Sequence, residues 1–413
     1  MLNLFKESNF SLKRVSIFLL LINLIYCQEI SSNIDIKFSS SKSKNWWDIY
    51  NNEGLKPSEI KLEYSFNHLH RNIESSFSLF HIDNQFILGE SFSKIFLNDS
   101  IYLKIGKYYR DFSPYLNDNI SSGSILISKN AEPMPKIGLV FNYSLKKNDY
   151  FYFQFGISHA NLDKNLIYKS SPFLHEKFLY LKKEKEDKEW GIGLVHEAIW
   201  GGETEEYGRF PSSFNDYLKI FISADGPLLE GEAHANALGN HLGIWDFYFQ
   251  KNYGDKIFKA YYQHFFEDTS GLRFANKYDG LWGIEIDNYI RNSIILVEYL
   301  STINQDPTND YLIDSYYNHN QYLNGWSYKN FVIGNPFIDN LDQNPSEVLH
   351  IGLLSKNFSD YFYEMNFSRI INFNDNFKYK IIFGKQFKNM SIKLFFSKDL
   401  ESQIGLGLSY KLR

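Results

Sequence analysis

The stretch IGLGLSYKL occupies residues 404–412 of a 413-residue chain. Its glycine and polar residues alternate strictly with apolar ones, which are Ile404, Leu406, Leu408, Tyr410 and Leu412. A period of two predicts a β-strand with one apolar and one polar face. Because an open strand edge leaves backbone groups unpaired in lipid, we expect this strand to pair with the first strand and close a barrel.

The same alternation recurs at residues 34–38, 60–67, 151–158 and 377–384. A soluble β-sandwich would bury the apolar faces in a shared core, whereas a membrane barrel would turn them to lipid. Runs of about ten residues, which cross a bilayer when tilted, favour the barrel. Neighbouring aromatic rings at the ends of runs, such as Tyr108 and Tyr109, favour it too, because they suit a membrane interface.

We therefore predict an all-β fold, a transmembrane antiparallel β-barrel of about 16–18 strands formed by residues 28–413 as one domain. Aromatic residues make up 18% of the chain, with 37 Phe and 30 Tyr. The mean hydropathy is nevertheless negative, at −0.36. Strands that alternate between lipid and a polar lumen account for both properties.

The segments between the runs are expected to be long loops with room for short helices. They are residues 40–58, 109–135, 160–188, 198–215, 225–244, 264–280 and 302–346. We interpret the charged stretch at 173–190 as a loop, with a helix as the alternative. Short turns at 372–376 and 385–389 are expected to lie on one rim of the barrel.

The first 27 residues are predicted to be a signal peptide. Lys6, Lys13 and Arg14 precede an apolar core at residues 15–25, which is too short to span a bilayer stably. Cleavage is expected between Cys27, the only cysteine of the chain, and Gln28. Lipidation of Cys27 is the alternative, although Tyr26 is bulky for that motif. Export together with a barrel fold predicts a place in the outer membrane, in contact with its lipid.

Charge and motifs exclude several functions. A formal net charge of −5 does not suggest nucleic-acid binding. His234 and His241 do not have a zinc spacing, and the acids at 267–268 do not form a calcium loop, so no metal and no cofactor are expected. The chain has no G-x-S-x-G motif, and nothing singles out a pair of acids for glycoside hydrolysis. No catalytic residue is predicted, and the protein is expected not to be an enzyme.

Two blocks mix aromatic and hydrogen-bonding residues, at 264–283 and 314–337. Flat rings cover the apolar face of a sugar, and amide, carboxylate and guanidinium groups match its hydroxyls. We expect the blocks to meet at one barrel mouth and to present exposed side chains to a carbohydrate. The candidates are Asp268, Arg273, Asn276, Asp279, Trp282, Tyr316, Tyr317, Asn318 and Trp326, with Trp282 and Trp326 as stacking surfaces. The alternative is an interfacial girdle and a self-satisfied loop plug.

The chain resembles the Wzi family of outer-membrane capsule-assembly proteins. The matching stretches include GSILISKNAEPMP, NALGNHLGIWDF, YYQHFFEDTSGLRFANKYDGLWG and YYNHNQYLNGWSYKNFVIGNPF, ordered as in the family between residues 100 and 340. The resemblance implies a non-enzymatic, lectin-like barrel that binds or organises capsular or extracellular polysaccharide, expected here as a monomer. Alternatives are a diffusion porin and, with less support, a polysaccharide-modifying enzyme. A known member carries an added helical bundle on the periplasmic side. No convincing helical stretch precedes the first strand here, and residues 160–188 are the alternative source of part of such a bundle.

Overall fold

The structure, a computed structural model, describes residues 29–412 except 147–148, 164–166, 228–236, 268, 291, 305–315, 342–343, 356–359 and 374. Eighteen antiparallel strands form one closed barrel. They are β1 (Glu29–Ser39), β2 (Ile60–His70), β3 (Ile73–Ile82), β4 (Gln85–Leu88 with Ser91–Asn98), β5 (Ile101–Tyr108), β6 (Met134–Lys146), β7 (Asp149–Asn161), β8 (Phe173–Lys185), β9 (Lys188–Trp200), β10 (Asn240–Tyr253), β11 (Lys256–Phe266), β12 (Gly280–Asp287), β13 (Ser293–Ser301), β14 (Glu347–Ser355), β15 (Tyr361–Ile370), β16 (Lys378–Phe387), β17 (Met390–Lys398) and β18 (Ser402–Lys411).

The last strand closes the barrel on the first, as the sequence predicts. In this pairing Ile34 lies opposite Tyr410 and Ser39 lies opposite Gly405. Every other strand pairs with its sequence neighbours, and the two parts of β4, separated by Gly89 and Glu90, both pair with β3. The all-β barrel prediction and its strand number are thus confirmed.

Side chains alternate between lumen and exterior along each strand. Ser409 and Lys393 point inward, where both contact Asp35. The outward positions form an exposed apolar band, whose members include Ile137, Leu179, Ile192, Ile284, Val297, Phe383, Leu394, Ile404 and Leu406. Such a band is the surface that a membrane barrel presents to lipid.

The two rims differ in the length of their connections. At one rim the strands are joined by short turns, such as residues 71–72, 186–187 and 254–255, and both β1 and β18 have their terminal ends there. At the other rim the connections include 40–59, 109–133, 201–239 and 302–346. In outer-membrane barrels the short turns face the periplasm and the long loops face outward.

Two sequence-based expectations about connections are wrong. The turns at 371–377 and 388–389 lie at opposite rims, because they flank the same strand, β16, and successive turns of a meander alternate between rims. The charged stretch at 173–190 is neither a loop nor a helix: it forms β8, a tight turn and the start of β9. Its charges are concentrated at the short-turn rim, where they meet water. The described part of residues 160–188 therefore supplies no helical bundle.

In the described parts of the long connections there are three short helices. They are α1 (Trp46–Ile49), α2 (Phe214–Ile222) and α3 (Thr269–Leu272). Among the described residues, none of the helices is both long and apolar enough to cross a membrane. The signal peptide predicted at residues 1–27 lies outside the described residues.

Candidate functional site: a plugged extracellular mouth

The connection at 109–133, here called the plug, folds into the lumen. Its apolar side chains Ile120, Ile125, Leu126 and Ile127 are almost completely buried. A loop buried in this way must find partners for its backbone groups. Polar residues on the inner wall supply them, so the lumen-facing positions of the strands and the plug form one hydrogen-bonded unit.

Glu298 on β13 is one of these wall partners. Its carboxylate accepts hydrogen bonds from the Ser121 hydroxyl at 2.7 Å, from the Ser122 backbone N–H at 2.6 Å and from the Tyr261 hydroxyl. Gln263 on β11 accepts from the Ile125 N–H at 3.1 Å through its amide oxygen. A fully buried carboxylate needs this many donors to remain in a protein interior.

Asp246 on β10 anchors the start of the plug in the same way. The hydroxyl of Ser113 donates to it at 2.6 Å, and the hydroxyls of Tyr115 and Tyr180 donate to it as well. On the neighbouring wall, the ammonium group of Lys136 donates to the carbonyl of Tyr109. The start of the plug is therefore held to the wall through its hydroxyl groups and a backbone carbonyl.

The connection at 40–59 fills the lumen beside the plug. The amide of Asn51 donates to the Ser122 carbonyl at 2.7 Å. Trp46 in α1 stacks on Phe337 with ring centroids 3.9 Å apart, and the Trp47 indole donates to the Lys378 carbonyl of the opposite wall at 3.3 Å. The plug and the connection at 40–59 together contact the barrel wall on several sides.

Residues 316–341, here called the cap, cover the plug from outside. The Trp326 indole N–H donates to the Leu126 carbonyl at 2.9 Å, and the Tyr317 hydroxyl donates to the Ile125 carbonyl at 2.6 Å. Asn335 donates its amide N–H to the Gly123 carbonyl at 2.7 Å. Three side chains of the cap thus satisfy backbone carbonyls of the plug.

The two polar-aromatic blocks meet at this rim, as predicted. The Tyr316 hydroxyl donates to the Asp279 carboxylate at 2.7 Å, and the Asn276 amide donates to that hydroxyl at 2.6 Å. Tyr316 also stacks on Phe265 with centroids 4.1 Å apart. Burial, with the nearby Asp279 carboxylate, raises the pKa of the Tyr316 phenol, so it stays a donor.

The expectation that these side chains are exposed is wrong for most of them. Trp326 and Tyr317 have no exposed surface, and Tyr316, Asn276 and Asp279 are also buried. Trp326 cannot stack on a sugar from this position, because all of its surface is covered by plug and cap. The structure uses these residues to hold the mouth together. Sequence composition alone does not separate this use from sugar binding, because both need rings beside hydrogen-bonding groups.

The remaining candidates lie in other places. Trp282 is 39% exposed but points outward from β12, where it stacks on Tyr262 with centroids 3.6 Å apart. It belongs to an aromatic belt at the outer wall, which Trp245 and Phe247 continue. Arg273 is exposed, and Asn318 is partly exposed with its amide donating to the Leu341 carbonyl at 3.0 Å. Asp268 lies outside the described residues.

A shallow crevice, none of whose lining residues is among the predicted candidates, opens at the mouth. It lies between the connection that follows β7 and the cap, and is lined by Leu162, Asp163, Tyr168, Pro172, Ile199, Asn324, Gly325, Ser327, Tyr328 and Lys329. The positively charged Lys329 binds Glu132 at 2.8 Å. Burial raises the pKa of Glu132, but Lys107 and Lys329 outweigh it and hold this pKa below its usual value. The block at 314–337 contains the cap side of this crevice, and the Asn324-Gly325 pair is a turn signal within it.

The crevice offers amide, hydroxyl, carboxylate and ammonium groups within one small surface. These groups suit a ligand rich in hydroxyl or carboxylate groups. Among the described residues, no three His, Cys, Asp or Glu side chains are grouped so that they could hold a metal ion.

An 18-stranded closed barrel with a lipid-facing apolar band and a plugged outer mouth defines an outer-membrane β-barrel whose lumen is blocked by its own loops. The family described as capsule assembly protein Wzi matches residues 62–342, more than half of the chain. The chain belongs to this family.

Solved structures agree with this assignment of the fold. The chain is similar to Wzi of Escherichia coli, described as an outer-membrane protein involved in group 1 capsule assembly and as a carbohydrate-binding β-barrel. The TM-score is 0.63 at 14% identity, over 97% of this chain and 88% of that one. A mutant Rh. blastica porin has a TM-score of 0.40 at 9% identity, covering 93% of this chain and 99% of that one, and carries no argument about function. No curated protein sequence matches the chain.

Proposed function

We propose that this protein binds or organises capsular or extracellular polysaccharide at the cell surface, without enzymatic turnover. Family membership supports a part in capsule assembly. The observation that carries the proposal is the closed mouth, in which plug and cap are buried against each other and a polar crevice opens beside the cap. A binding surface requires this kind of supporting packing beneath it.

The crevice and the neighbouring exposed loops are the proposed contact surface. Lys329, Asn324 and Asp163 line the crevice. Among the candidates from the sequence, Asn318 and Arg273 keep exposed surface without facing outward from the barrel wall as Trp282 does. Asn276, Asp279, Tyr316, Tyr317 and Trp326 act beneath this surface by fixing cap and plug. The filled outer half of the lumen argues against the porin alternative, since a diffusion pore needs an open lumen.

The proposal includes a placement. The protein is exported by the signal peptide at residues 1–27, is inserted in the outer membrane as a monomer in contact with lipid, and exposes the mouth to the cell exterior. The length difference between the two rims supports this orientation.

The test uses polysaccharide extracted from the surface of cells that carry the protein. We expect the purified, detergent-solubilised barrel to bind it, and Lys329→Ala to weaken binding and to reduce polysaccharide retained on cells. The matched control is Lys256→Ala, which removes the same charge from an exposed position at the short-turn rim. Equal binding and retention by both variants would reject the crevice as the surface that binds polysaccharide. Absence of binding by the unaltered barrel, or shortening of the polysaccharide, would reject the function.

A further inference from the structure

Helix α2 lies against the outside wall of the barrel, near the extracellular rim. The alternation of inward and outward side chains along β8 establishes this position. Glu176 on β8 points into the lumen, where it binds Lys136 at 3.0 Å and Ser158 at 3.0 Å. Its neighbours His175 and Lys177 therefore point outward, and both contact α2.

The inner face of the helix is packed on outward-facing side chains. Ile220 is fully buried with Ala198 and Trp200 of β9. The ring of Tyr217 lies 5.3 Å from His175 and 5.6 Å from Trp200, measured between centroids. Because residues on successive turns of α2 pack on β8 and β9, the helix is held against the outer surface of the barrel.

The helix and the segment after it cover a polar patch that would otherwise face the surroundings of the barrel. The ammonium group of Lys177 donates to the Phe221 carbonyl in the last turn of α2, where the helix dipole favours a cation. His196 contacts His241 at 2.9 Å and Ser223 at 3.1 Å. Histidine and lysine side chains on a barrel wall are costly next to lipid. Covering them therefore matters most if this part of the wall lies within the membrane.

A lateral face of α2, beside the face packed on the wall, carries an apolar stripe. Phe214, Leu218 and Ile222 are 68%, 47% and 70% exposed, and the described part of the chain places nothing over them. Their spacing of four residues puts them on one side of the helix. Asn215 and Lys219, also exposed, flank the stripe. A Ser213–Asp216 capping box fixes the start of the helix immediately before Phe214.

The strands on which α2 packs carry the lipid-facing band. On β8, the outward residue after Lys177 is Leu179, which is 49% exposed, and Ile192 on β9 extends the same surface. We infer that α2 is an interfacial helix, with Phe214, Leu218 and Ile222 inserted at the boundary between acyl chains and headgroups of the outer leaflet. A second copy of the chain fits less well, because three side chains bury far less than the roughly 800 Å² per partner of a stable interface.

Site-directed fluorescence tests this inference independently of polysaccharide binding. In a Cys27→Ser background, Leu218→Cys carries a polarity-sensitive dye, and the full barrel is reconstituted into phosphatidylcholine vesicles with or without a nitroxide-labelled acyl chain. Val297→Cys, on the lipid-facing wall, is the lipid reference, and Tyr207→Cys, in an exposed loop, is the water reference. Lys219→Cys is the matched position on the polar side of the same helix.

We expect the dye at position 218 to shift to the blue and to lose most of its fluorescence to the lipid quencher, as at 297. The dye at 219 should be quenched more by aqueous iodide. Strong iodide quenching at 218, as at 207, would overturn the inference, because the stripe would face water. Protection from both quenchers would also overturn it, because protein would then cover the stripe. Heat-modifiability on gels selects folded barrels, and Ile222→Cys replaces Leu218→Cys if the latter does not fold.

Discussion

The indole N–H of Trp326 donates a 2.9 Å hydrogen bond to the carbonyl of Leu126, a residue 200 positions earlier in the chain. The bond joins the cap to the plug at a point where both residues are fully buried. Neither segment could be stable there alone, since each covers apolar surface and carbonyl groups of the other. The closed mouth is therefore one cooperative unit mounted on the barrel.

Trp326→Ala should loosen the mouth and leave the barrel intact. Truncation of a buried Trp costs about 3–5 kcal/mol, and the Leu126 carbonyl also loses its donor. We expect faster hydrogen exchange and proteolysis in the cap and plug, with unchanged heat-modifiability of the barrel. Leu323→Ala, at a 37% exposed position of the same cap, is the control and should change little. Equal protection of the cap in both variants would show that the indole does not hold the mouth.

The unaltered barrel should show little steady conductance in planar bilayers, whereas Glu298→Ala should show frequent openings. The substitution removes the acceptor of the Ser121, Ser122 and Tyr261 donors, at about 1–3 kcal/mol for each donor left unpaired in the interior. Val297→Ala changes the adjacent, lipid-facing residue and should stay closed. Large stable openings of the unaltered protein would instead support the porin alternative.

The sequence predicted the barrel well because strand alternation is a local property that the membrane enforces at every residue. It also predicted that the two blocks meet, because residues at the ends of neighbouring strands share a rim. It did not predict which aromatic residues are buried. Trp326 and Trp282 look alike in the sequence, yet one lies under the cap and the other on the outer wall, because burial depends on a plug far away in the chain. The strand at 173–185 was missed because its charges lie where it leaves the membrane.

Acid should weaken the cap through His319. Its Nδ1 accepts hydrogen bonds from the backbone N–H groups of Gln321 at 3.1 Å and Tyr322 at 3.2 Å. Burial, with repulsion from His241, lowers the pKa of His319 from its ordinary 6.5 to about 4. Since the open cap binds the proton more readily, the stability that neutral His319 contributes is complete above about pH 6.5 and is lost as the pH falls toward about 4.

Hydrogen exchange of residues 316–328 at neutral and mildly acidic pH measures this loss. His319→Gln keeps an acceptor but cannot titrate, so its cap should lose less protection in acid than the unaltered cap. An identical loss in both proteins would assign the pH dependence to other groups.

Substitution of Gly193 on β9 should disturb the plug through the wall. A Cβ placed there would lie 2.2 Å from the ring of Tyr180 on β8, so the ring occupies the space that a side chain would need. The hydroxyl of that ring reaches Asp246, which holds Ser113 of the plug. Gly193→Ala must therefore displace the ring at a cost of about 1–3 kcal/mol, and the displacement should loosen the plug around Ser113.

Gly384→Ala is the matched control, because its Cβ would meet the Phe362 ring at 2.1 Å and phenylalanine has no hydroxyl to hold a plug residue. We expect both variants to lower barrel stability, measured as the temperature of heat-modification. Only Gly193→Ala should also raise hydrogen exchange in residues 110–118. Equal exchange of these residues in the two variants would show that the ring of Tyr180 does not transmit the strain to the plug.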